Sequence, residues 1–550
     1  GGKPFMKTVL PLLLTCVMSV TMLPACGGND CASTSEETAS AAGSTAESGA
    51  GGEEEVAYKD TLVLVTATDQ NYMDGQMNNT NDKILRMAYS SLVRKDPVTN
   101  ETVGDLAESW EVSDDGLTWT FHLRKGVKFH NGKELTSADV KASYDRLLNA
   151  DDPVRYTSTM NLIKSCEIVD DYTVTLSTEE PTAALLPNLL HRANLILDAD
   201  YIEQYGKELG LTAESINGTG PYKITTWNQG ELMVGEAFED YYGGAPATPR
   251  IEIQIMPEAS SRAIALETGE ADIADGLTTE DIENFRNMEG FTVQKFESNG
   301  VHLYQFNCAN EYLEDVRVRQ AILYAVDMET IVNALYAPKG ETICDAPLNP
   351  NIWGYTSMGV IPYDPEKAKE LLAEAGYPDG FEMDVMIVQS YDKALESAEM
   401  IKAQLEEVGI IMNIDVVENA VFNEAFTQTV RGGGGNFPWA MFIIGQGPGT
   451  CDADGMRRYY TTEGETNANN YGWYSNAEVD QLLADAAREM DEEKRMDLYE
   501  RIMEIVWLED PAAMWMNNRA TFYCMTDKVE DFRVDIRNAV DFSAVRVRAD

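Results

Sequence analysis

Apolar and polar residues alternate in several short stretches of this chain, which is typical of half-buried β-strands. Residues 110–112 and 118–123 follow this pattern on either side of the turn sequence Ser-Asp-Asp-Gly, which predicts a β-hairpin. β-Branched and aromatic residues, which favour strands, are frequent in the other segments. Those segments are residues 60–66, 171–176, 251–256 and 410–417.

Other stretches repeat apolar residues every three to four positions, which predicts amphipathic helices. In one of them, Asp364 is placed to cap the helix, Pro365 occupies its first position and Gly376 ends it. Thr136 or Ser137 can cap an earlier helix, and Ser475 a later one. Two more helices are predicted at residues 396–408 and 493–506. Strands and helices alternate over some 490 residues, so we expect α/β layers arranged in more than one lobe.

Composition narrows the functional classes. The chain has 550 residues, enough for two to four domains at roughly 100–200 residues each. It carries 92 acidic and 42 basic side chains, a formal charge of -50, which argues against nucleic acid as a partner. With only four histidines in the sequence, there is little scope for a His-rich metal site.

The N-terminal region has the pattern of an export signal. Lys7 precedes a fifteen-residue apolar stretch, residues 9–23, which is shorter than the roughly 20 residues that span a bilayer. Leu23-Pro24-Ala25-Cys26 resembles a bacterial lipoprotein signal. We therefore expect a signal peptide over residues 1–25, starting naturally at Met6, and lipidation of Cys26. The alternative is an ordinary cleaved signal in which Cys26 has no role.

A spacer follows. Residues 26–56 are rich in Ser, Ala, Gly and Glu and have no apolar periodicity, which predicts a disordered acidic tether. A lipidated Cys26 on such a tether would hold the body of the protein at the extracytoplasmic face of the bacterial cell membrane.

Sequence signals of catalysis are missing. No GxSxG, HExxH, GxxxxGK[ST] or helix-opening GxGxxG motif occurs, and the four histidines are far apart. Six cysteines lie beyond Cys26 without a CxxC pair, and we expect them to be mostly free, buried thiols. We therefore predict a binding protein that is not an enzyme and needs no cofactor or metal.

One long segment carries a family resemblance. Residues 106–140 (LAESWEVSDDGLTWTFHLRKGVKFHNGKELTSADV) closely resemble a characteristic stretch of the family 5 extracellular solute-binding proteins, the peptide- and nickel-binding receptors of ABC importers. Further matching segments follow in family order, so the resemblance covers about residues 61–550. They are residues 218–227 (GTGPYKITTW), 267–275, 315–327, 363–381 and 476–511.

The resemblance implies a two-lobed α/β fold of the type II periplasmic-binding-protein kind, with an additional small domain and a hinge between the lobes. The first lobe would be discontinuous, and crossings near residues 301–307 and 514–518 would join the two lobes. Ligand would be enclosed as the lobes close. The implied bounds are 57–90, 215–302 and 514–550 for the first lobe, 91–214 for the small domain, and 303–513 for the second lobe.

The resemblance also suggests ligand-binding residues. Relatives pair an Asp with the peptide amine in a region similar to residues 439–460, but this chain has Gln446, Gly447 and Pro448 near the expected position. Asp452 or Asp454 either replaces that Asp or caps the following helix. The Arg that dipeptide-type relatives use for the carboxylate has only Lys393 in its region, which makes dipeptides less favoured than oligopeptides. The remaining candidates, whose aromatic members fit core and cleft equally well, are Asp69, Asn71, Tyr72, Asn217, Thr219, Phe306, Asn307 and Trp439.

The resemblance therefore predicts a monomeric, lipid-anchored receptor that captures oligopeptides and passes them to the permease subunits of an ABC importer. One alternative is a non-peptide solute, such as a metal–chelator complex or an oligosaccharide. Another is a sensor or exported chaperone that uses the same fold without transport.

Overall fold

The structure, a computed structural model, describes residues 56–77, 82–149, 162–422, 424–425, 437–462 and 470–550. The predicted signal peptide, Cys26 and the tether up to residue 55 lie outside them. Val56–Asp550 forms one compact unit. Among the described helices, none has both the length and the apolar character needed to cross a membrane.

Twenty-one strands are assigned in the described part of the chain. They are β1 (Thr61–Thr66), β2 (Val93–Lys95), β3 (Thr102–Gly104), β4 (Ala107–Val112), β5 (Thr118–Leu123), β6 (Ser165–Asp170), β7 (Thr173–Ser177), β8 (Tyr222–Asn228), β9 (Leu232–Ala237), β10 (Arg250–Ile255), β11 (Ile273–Asp275), β12 (Phe291–Phe306), β13 (Thr342–Ile343), β14 (Phe381–Val388), β15 (Ile410–Val417), β16 (Met441–Gln446), β17 (Ala513–Thr526), β18 (Val529–Glu530), β19 (Arg533–Val534), β20 (Val540–Asp541) and β21 (Arg546–Val547).

Thirteen α-helices are assigned in the same part of the chain, and several of them have side-chain caps. They are α1 (Leu85–Ala88), α2 (Ser137–Leu148), α3 (Leu185–Asn188), α4 (Ala199–Tyr205), α5 (Ala259–Glu267), α6 (Thr279–Arg286), α7 (Val316–Ala325), α8 (Met328–Leu335), α9 (Pro365–Glu374), α10 (Ala394–Glu406), α11 (Arg457–Tyr460), α12 (Ala477–Arg488) and α13 (Glu492–Glu504). A π-helical turn, Ile505–Glu509, continues α13.

The main sheet runs through both lobes in the order β15-β14-β16-β12-β17-β11-β1-β10-β9-β8. β1 pairs in parallel with β10 and β11, and β14 pairs in parallel with β15 and β16. Between these parallel groups, β12 is antiparallel to β16 and β17, and β17 is antiparallel to β11. The two groups therefore run in opposite directions, and their carboxyl ends face each other across the middle of β12 and β17. Ligands of open α/β sheets bind outside such carboxyl ends.

β12 and β17 are the crossing strands between the lobes. They pair from Phe291↔Thr526 to Gln305↔Ala513, but the register shifts between Glu297 and Val301. Glu297 lies opposite Ala520 and Val301 opposite Asn518, so β12 takes four steps where β17 takes two. Such a bulge bends a strand and interrupts its ladder. The bulge at residues 298–301 directly precedes the predicted crossing at 301–307, which stays a prediction.

Buried side chains cover both faces of the sheet in the second lobe. Tyr304 and Met516 pack with α7 to α10 on one face, whereas Leu303 and Trp515 pack with α12 and α13 on the other. The small domain has its own four-stranded sheet, β4-β5-β7-β6, and its own core around Phe121. The mixed α/β, two-lobed fold that the sequence predicted is confirmed in these layers.

Individual elements agree closely with the sequence patterns, with a few corrections. The hairpin is β4–β5, and Asp364 and Thr136 cap their helices as predicted, Thr136 in a capping box with Asp139. Asn476 rather than Ser475 caps α12, because the Asn476 side chain accepts from two backbone N–H groups of the first turn. The described cysteines beyond the tether are free thiols, and all but the half-buried Cys308 are buried.

Candidate functional site

The loop after β16 lies where the two groups of carboxyl ends meet. Gln446 ends β16 opposite Val301 of the crossing. Asn299 Nδ2 donates to the Pro448 carbonyl at 2.8 Å, and the Asn299 N–H donates to the Ile536 carbonyl at 3.1 Å. Because Asn299 lies in the bulge of β12, this loop is attached directly to the segment that joins the lobes.

The small domain touches the same loop. A Cβ placed on Gly449 would lie 3.0 Å from Cδ2 of His191, so only a glycine fits this approach without a shift. Arg537 donates to the carbonyl of Leu190 and pairs with Asp535 at 2.7 Å. Burial, together with the nearby positive charges of three arginines, lowers the pKa of His191 well below its ordinary value. His191 is therefore neutral at pH 7 and brings no charge to the loop.

A cavity of about 310 Å³ lies beside this contact, between the small domain and the second lobe. Its volume is at the lower end of the range for ligand pockets, roughly 300–1,000 Å³. One wall is formed by small-domain residues up to Leu190, and the other by second-lobe residues from Trp353 onwards. The lining residues are Lys95, Thr102, Ala183, Pro187, Leu190, Trp353, Thr450, Cys451, Asp452, Met490, Glu492 and Arg495.

Asp452 is paired with Arg495 at the base of this cavity. Arg495 Nη1 and Nη2 donate to the two carboxylate oxygens of Asp452 at 3.0 and 2.6 Å, and both side chains are buried. The guanidinium carbon also lies 4.4 Å from the ring centre of Trp353. Burial raises the pKa of Asp452, and the bidentate guanidinium opposes that shift. In this arrangement the charge of Asp452 is already compensated within the protein.

Asp454 is compensated in the same way. Arg457 Nε and Nη2 donate to its carboxylate at 2.8 and 2.9 Å. Asp452 also accepts from the N–H of Asp454 at 2.8 Å and caps the 3₁₀ turn Ala453–Met456. Of the two interpretations of Asp452, the helix-capping one is thus confirmed. Neither carboxylate, in the described arrangement, is left over for a ligand amine.

Gln446 is buried at the crossing, where its Nε2 donates to Oε1 of Gln305 at 2.9 Å. It lines a narrow space with Asn299, Gly447 and Tyr459. Among the predicted candidates, Gln446 and Asp452 are therefore the two that lie at the loop between the lobes, with Asp454 just behind them. Whether any of them contacts a solute stays a prediction.

The segment after β1 is held by structural hydrogen bonds. Both carboxylate oxygens of Asp69 accept from Trp227 Nε1 at 3.2 Å, and one accepts from the Gly230 N–H at 2.7 Å. Asn71 is exposed and Tyr72 half-buried. Asp69 thus ties the end of β1 to the β8–β9 hairpin, and its ligand role stays a prediction.

Asn217 and Thr219 lie at the junction of the first lobe and the small domain. Asn217 Nδ2 donates to Asp198 at 2.7 Å, and its Oδ1 accepts from the Asn131 N–H at 3.0 Å. Thr219 is fully buried. Both side chains are enclosed by protein, which favours a structural role over solute contact.

Phe306 and Asn307, which were predicted at the crossing, lie well beyond the bulge of β12, and the ligand roles of these two residues and of Trp439 stay predictions. Phe306 lies opposite Met441 at the start of β16, whereas Gln446 is at its end. Five strand steps of about 3.4 Å separate these positions by roughly 17 Å. Asn307 bonds the Trp439 carbonyl at 3.1 Å, and Trp439 Nε1 donates to Asp415 at 2.8 Å. β12 thus continues far into the second lobe beyond its bulge.

Sequence reasoning did not find Arg495, Trp353, His191 or Asn299. Arg495 follows the Asp491 cap of α13 and looks in sequence like part of an exposed charged helix face. Its partner Asp452 is 43 residues away, and no local pattern connects the two. Among the described residues, no group of three or more His, Cys, Asp or Glu side chains is arranged to hold a metal ion.

Comparison with known proteins agrees with the two-lobed α/β fold described above. Residues 101–468 match the family model "Bacterial extracellular solute-binding proteins, family 5 Middle". Glutathione-binding protein GsiB of Salmonella choleraesuis is 32% identical over 413 residues, covering 74% of this chain and 78% of that protein. Heme-binding protein A of Haemophilus influenzae is 32% identical over 453 residues, covering 78% and 81%.

A solved structure covers more of the chain. The periplasmic binding protein DppA of Helicobacter pylori, in complex with the peptide STSA, has a TM-score of 0.77 and 27% identity. The match covers 90% of this chain and 99% of that one. The chain therefore belongs to the family 5 extracellular solute-binding proteins of ABC importers, with their two-lobed type II fold.

Proposed function

We propose that this chain captures oligopeptides between its two lobes and delivers them to the permease subunits of an ABC importer. The observation that carries the proposal is the match to a peptide-bound relative over 90% of the chain. Another relative is named as a glutathione-binding protein, and glutathione is itself a tripeptide. These relatives are named as binding proteins, and we infer that this chain has no catalytic role.

The proposed binding region is the space between the facing carboxyl ends, bounded by the loop after β16 and by the small domain. Asn299 and Gln446 lie at its floor, and the 310 Å³ cavity opens beside it. Because Asp452 and Asp454 are paired with arginines, we infer that a peptide amine is not held by either of them. We further propose the lobe and small-domain bounds given above, with the hinge moved to about residues 298–301 and 518–520.

Mass spectrometry of solutes that co-purify with the full chain tests the ligand class. We expect peptides, and calorimetry with a library of two- to eight-residue peptides should then give saturable binding. The library also separates dipeptides from longer peptides, and we expect the longer ones to bind more tightly. If no peptide bound while another solute did, the oligopeptide proposal would be wrong.

A second candidate is heme, because a relative at 32% identity is named for binding it. The same preparation distinguishes the two. A Soret absorption band that appears on adding hemin and saturates at one equivalent would favour heme, and competition by peptides would show whether both use one site.

Membrane attachment through Cys26 is a further part of the proposal. Replacing Cys26 by alanine removes the only sulfur at the predicted cleavage site, so the variant should lose its lipid and leave the membrane fraction. Detergent phase partitioning and lipid-adduct mass spectrometry measure this. The matched control is Cys31→Ala, which should remain membrane-bound. A Cys26→Ala protein that stayed attached would contradict the lipoprotein assignment.

A further inference from the structure

Arg519 occupies the gap between the facing strand ends. On β17, Asn518 is level with Val301, which in turn is level with Gln446 at the end of β16. Tyr523 of the same strand is level with Asp275 at the end of β11. Arg519 lies between these two levels and therefore at the floor of the proposed binding region.

The Arg519 side chain runs across the sheet over two glycines. A Cβ placed on Gly300 of β12 would lie 3.3 Å from Cδ of Arg519, and one placed on Gly445 of β16 would lie 3.1 Å from Nη1. The side chain thus reaches from β17 over β12 to the carboxyl end of β16. Glycine at both positions leaves the room that this course requires, and it directs the guanidinium towards the loop after β16.

The guanidinium forms no ion pair with a described carboxylate, and the nearby carboxylate of Glu341, which accepts from the Ala520 N–H at 3.3 Å, is paired with Lys339. Arg519 is exposed, and no described carboxylate lies within 4.0 Å of its nitrogens. This sets it apart from Arg495 and Arg457, whose charges are used by Asp452 and Asp454. Lys393 is likewise paired, with Glu280 of α6 and with Glu396 at 3.4 Å.

On the side of β16, the groups beside the guanidinium are neutral and polar, and the charged Glu341 and Lys339 nearby are paired with each other at 3.5 Å. His302 pairs with Gly445 on the neighbouring strand, and its ring lies 5.5 Å from that of Tyr391. The Gly445 N–H donates to the Tyr391 hydroxyl at 3.4 Å. Burial and the positive charges of Arg519 and Lys339 lower the pKa of His302 well below its ordinary value, so His302 is neutral. An incoming anion would meet one directed cation beside hydroxyl and ring groups.

We propose that Arg519 is the specificity-determining residue of the binding region and pairs with the terminal carboxylate of the bound peptide. This inference rests on the proposed peptide-binding function. A guanidinium presents parallel N–H donors that match a carboxylate, and such charge-assisted pairs are stronger than neutral ones. The receptor would accordingly prefer peptides with a free carboxyl end over the same peptides as amides.

The test uses the full chain and two pools of tetrapeptides, one with free carboxyl ends and one with C-terminal amides, both including Ser-Thr-Ser-Ala. Calorimetry should give tighter binding of the acid pool to the unchanged protein. In Arg519→Gln we expect affinity for the acid pool to fall on the order of 10- to 100-fold, with affinity for the amide pool unchanged. Arg519→Lys keeps the charge but not the paired donors, so its affinity for the acid pool should lie between those of the unchanged protein and of Arg519→Gln.

Two further variants keep the test decisive. Gly445→Ala retains Arg519 but places a Cβ 3.1 Å from its Nη1, so it should weaken the preference for acids by displacing the guanidinium even if Arg519→Gln folds poorly. Arg317→Gln removes an equal charge where Arg317 pairs with Asp315, and it should change neither affinity.

The outcomes separate the two proposals. Equal losses for both pools, or no loss for either, would overturn the role of Arg519 while leaving peptide binding intact. If neither pool bound to the unchanged protein while another solute did, the peptide proposal and this inference would both fall.

Discussion

Replacing Asp452 by alanine should lower the free energy of unfolding by about 3–5 kcal/mol, because it leaves the Arg495 guanidinium buried without a counter-charge. Only 3% of Arg495 is exposed, and its two donors to Asp452 are 3.0 and 2.6 Å from their acceptors. The alanine also removes the cap of the turn Ala453–Met456, worth about 1 kcal/mol. Urea denaturation of the full chain, followed by circular dichroism, measures the change.

Two controls accompany this variant. Glu366→Ala breaks a single exposed pair with Lys369 at 2.8 Å and should cost no more than about 1 kcal/mol. The double variant Asp452→Ala/Arg495→Met removes the unpaired charge and should recover part of the loss, since replacing both partners of a buried pair by apolar groups is often close to neutral. A loss below 1 kcal/mol for Asp452→Ala would show that the pair is not held as described.

The same variant bears on ligand binding. If Asp452 held a peptide amine, its replacement would abolish peptide binding even under conditions in which all of the protein is folded. The pairing with Arg495 instead predicts that Asp452→Ala binds peptide at low temperature, where enough of it is folded. We therefore expect Asp452→Ala to lower the free energy of unfolding but not the affinity for peptide. Arg519→Gln should instead lower the affinity and leave the free energy of unfolding nearly unchanged.

Much of the fold was predictable from local patterns. The β4–β5 hairpin is specified by alternation around a turn, and α9 by its Asp364 cap, its Pro365 and its apolar stripe. These signals are local because hydrogen bonds and caps form between residues a few positions apart. The order of the strands was not available in this way, because the family resemblance implied only the two lobes, the small domain and their bounds.

The candidate site was less predictable because its partners are distant in sequence. Asp452 is recognisable as a cap, but the arginine that compensates it follows 43 residues later. Arg519 reads in sequence as one exposed position of a strand. Its significance depends on Gly300 and Gly445, which come from two other strands. The length of β12 was not predictable either, since a strand pattern does not reveal where a long strand passes from one lobe to the next.

Gly218 is a position where one added methyl group should have a large effect. A Cβ there would lie 1.9 Å from the Ala88 carbonyl oxygen and 2.6 Å from Cδ1 of Tyr89, distances that require the backbone to move. On the other side, the Gly218 carbonyl accepts from the His130 N–H of the small domain at 2.9 Å. Overpacking and the strained hydrogen bond together should make Gly218→Ala destabilising by about 3 kcal/mol or more.

The matched control for Gly218→Ala is Gly126→Ala. Gly126 has a φ of +77° and nothing within 4 Å of an added Cβ, so it tests backbone strain without crowding and should cost about 1–2 kcal/mol. If the two variants cost the same, close packing at Gly218 is not the reason for its glycine. The expected difference would also explain why Asn217 and Thr219 are enclosed. This segment joins the first lobe to the small domain through close backbone contacts, which favours a structural role for its side chains.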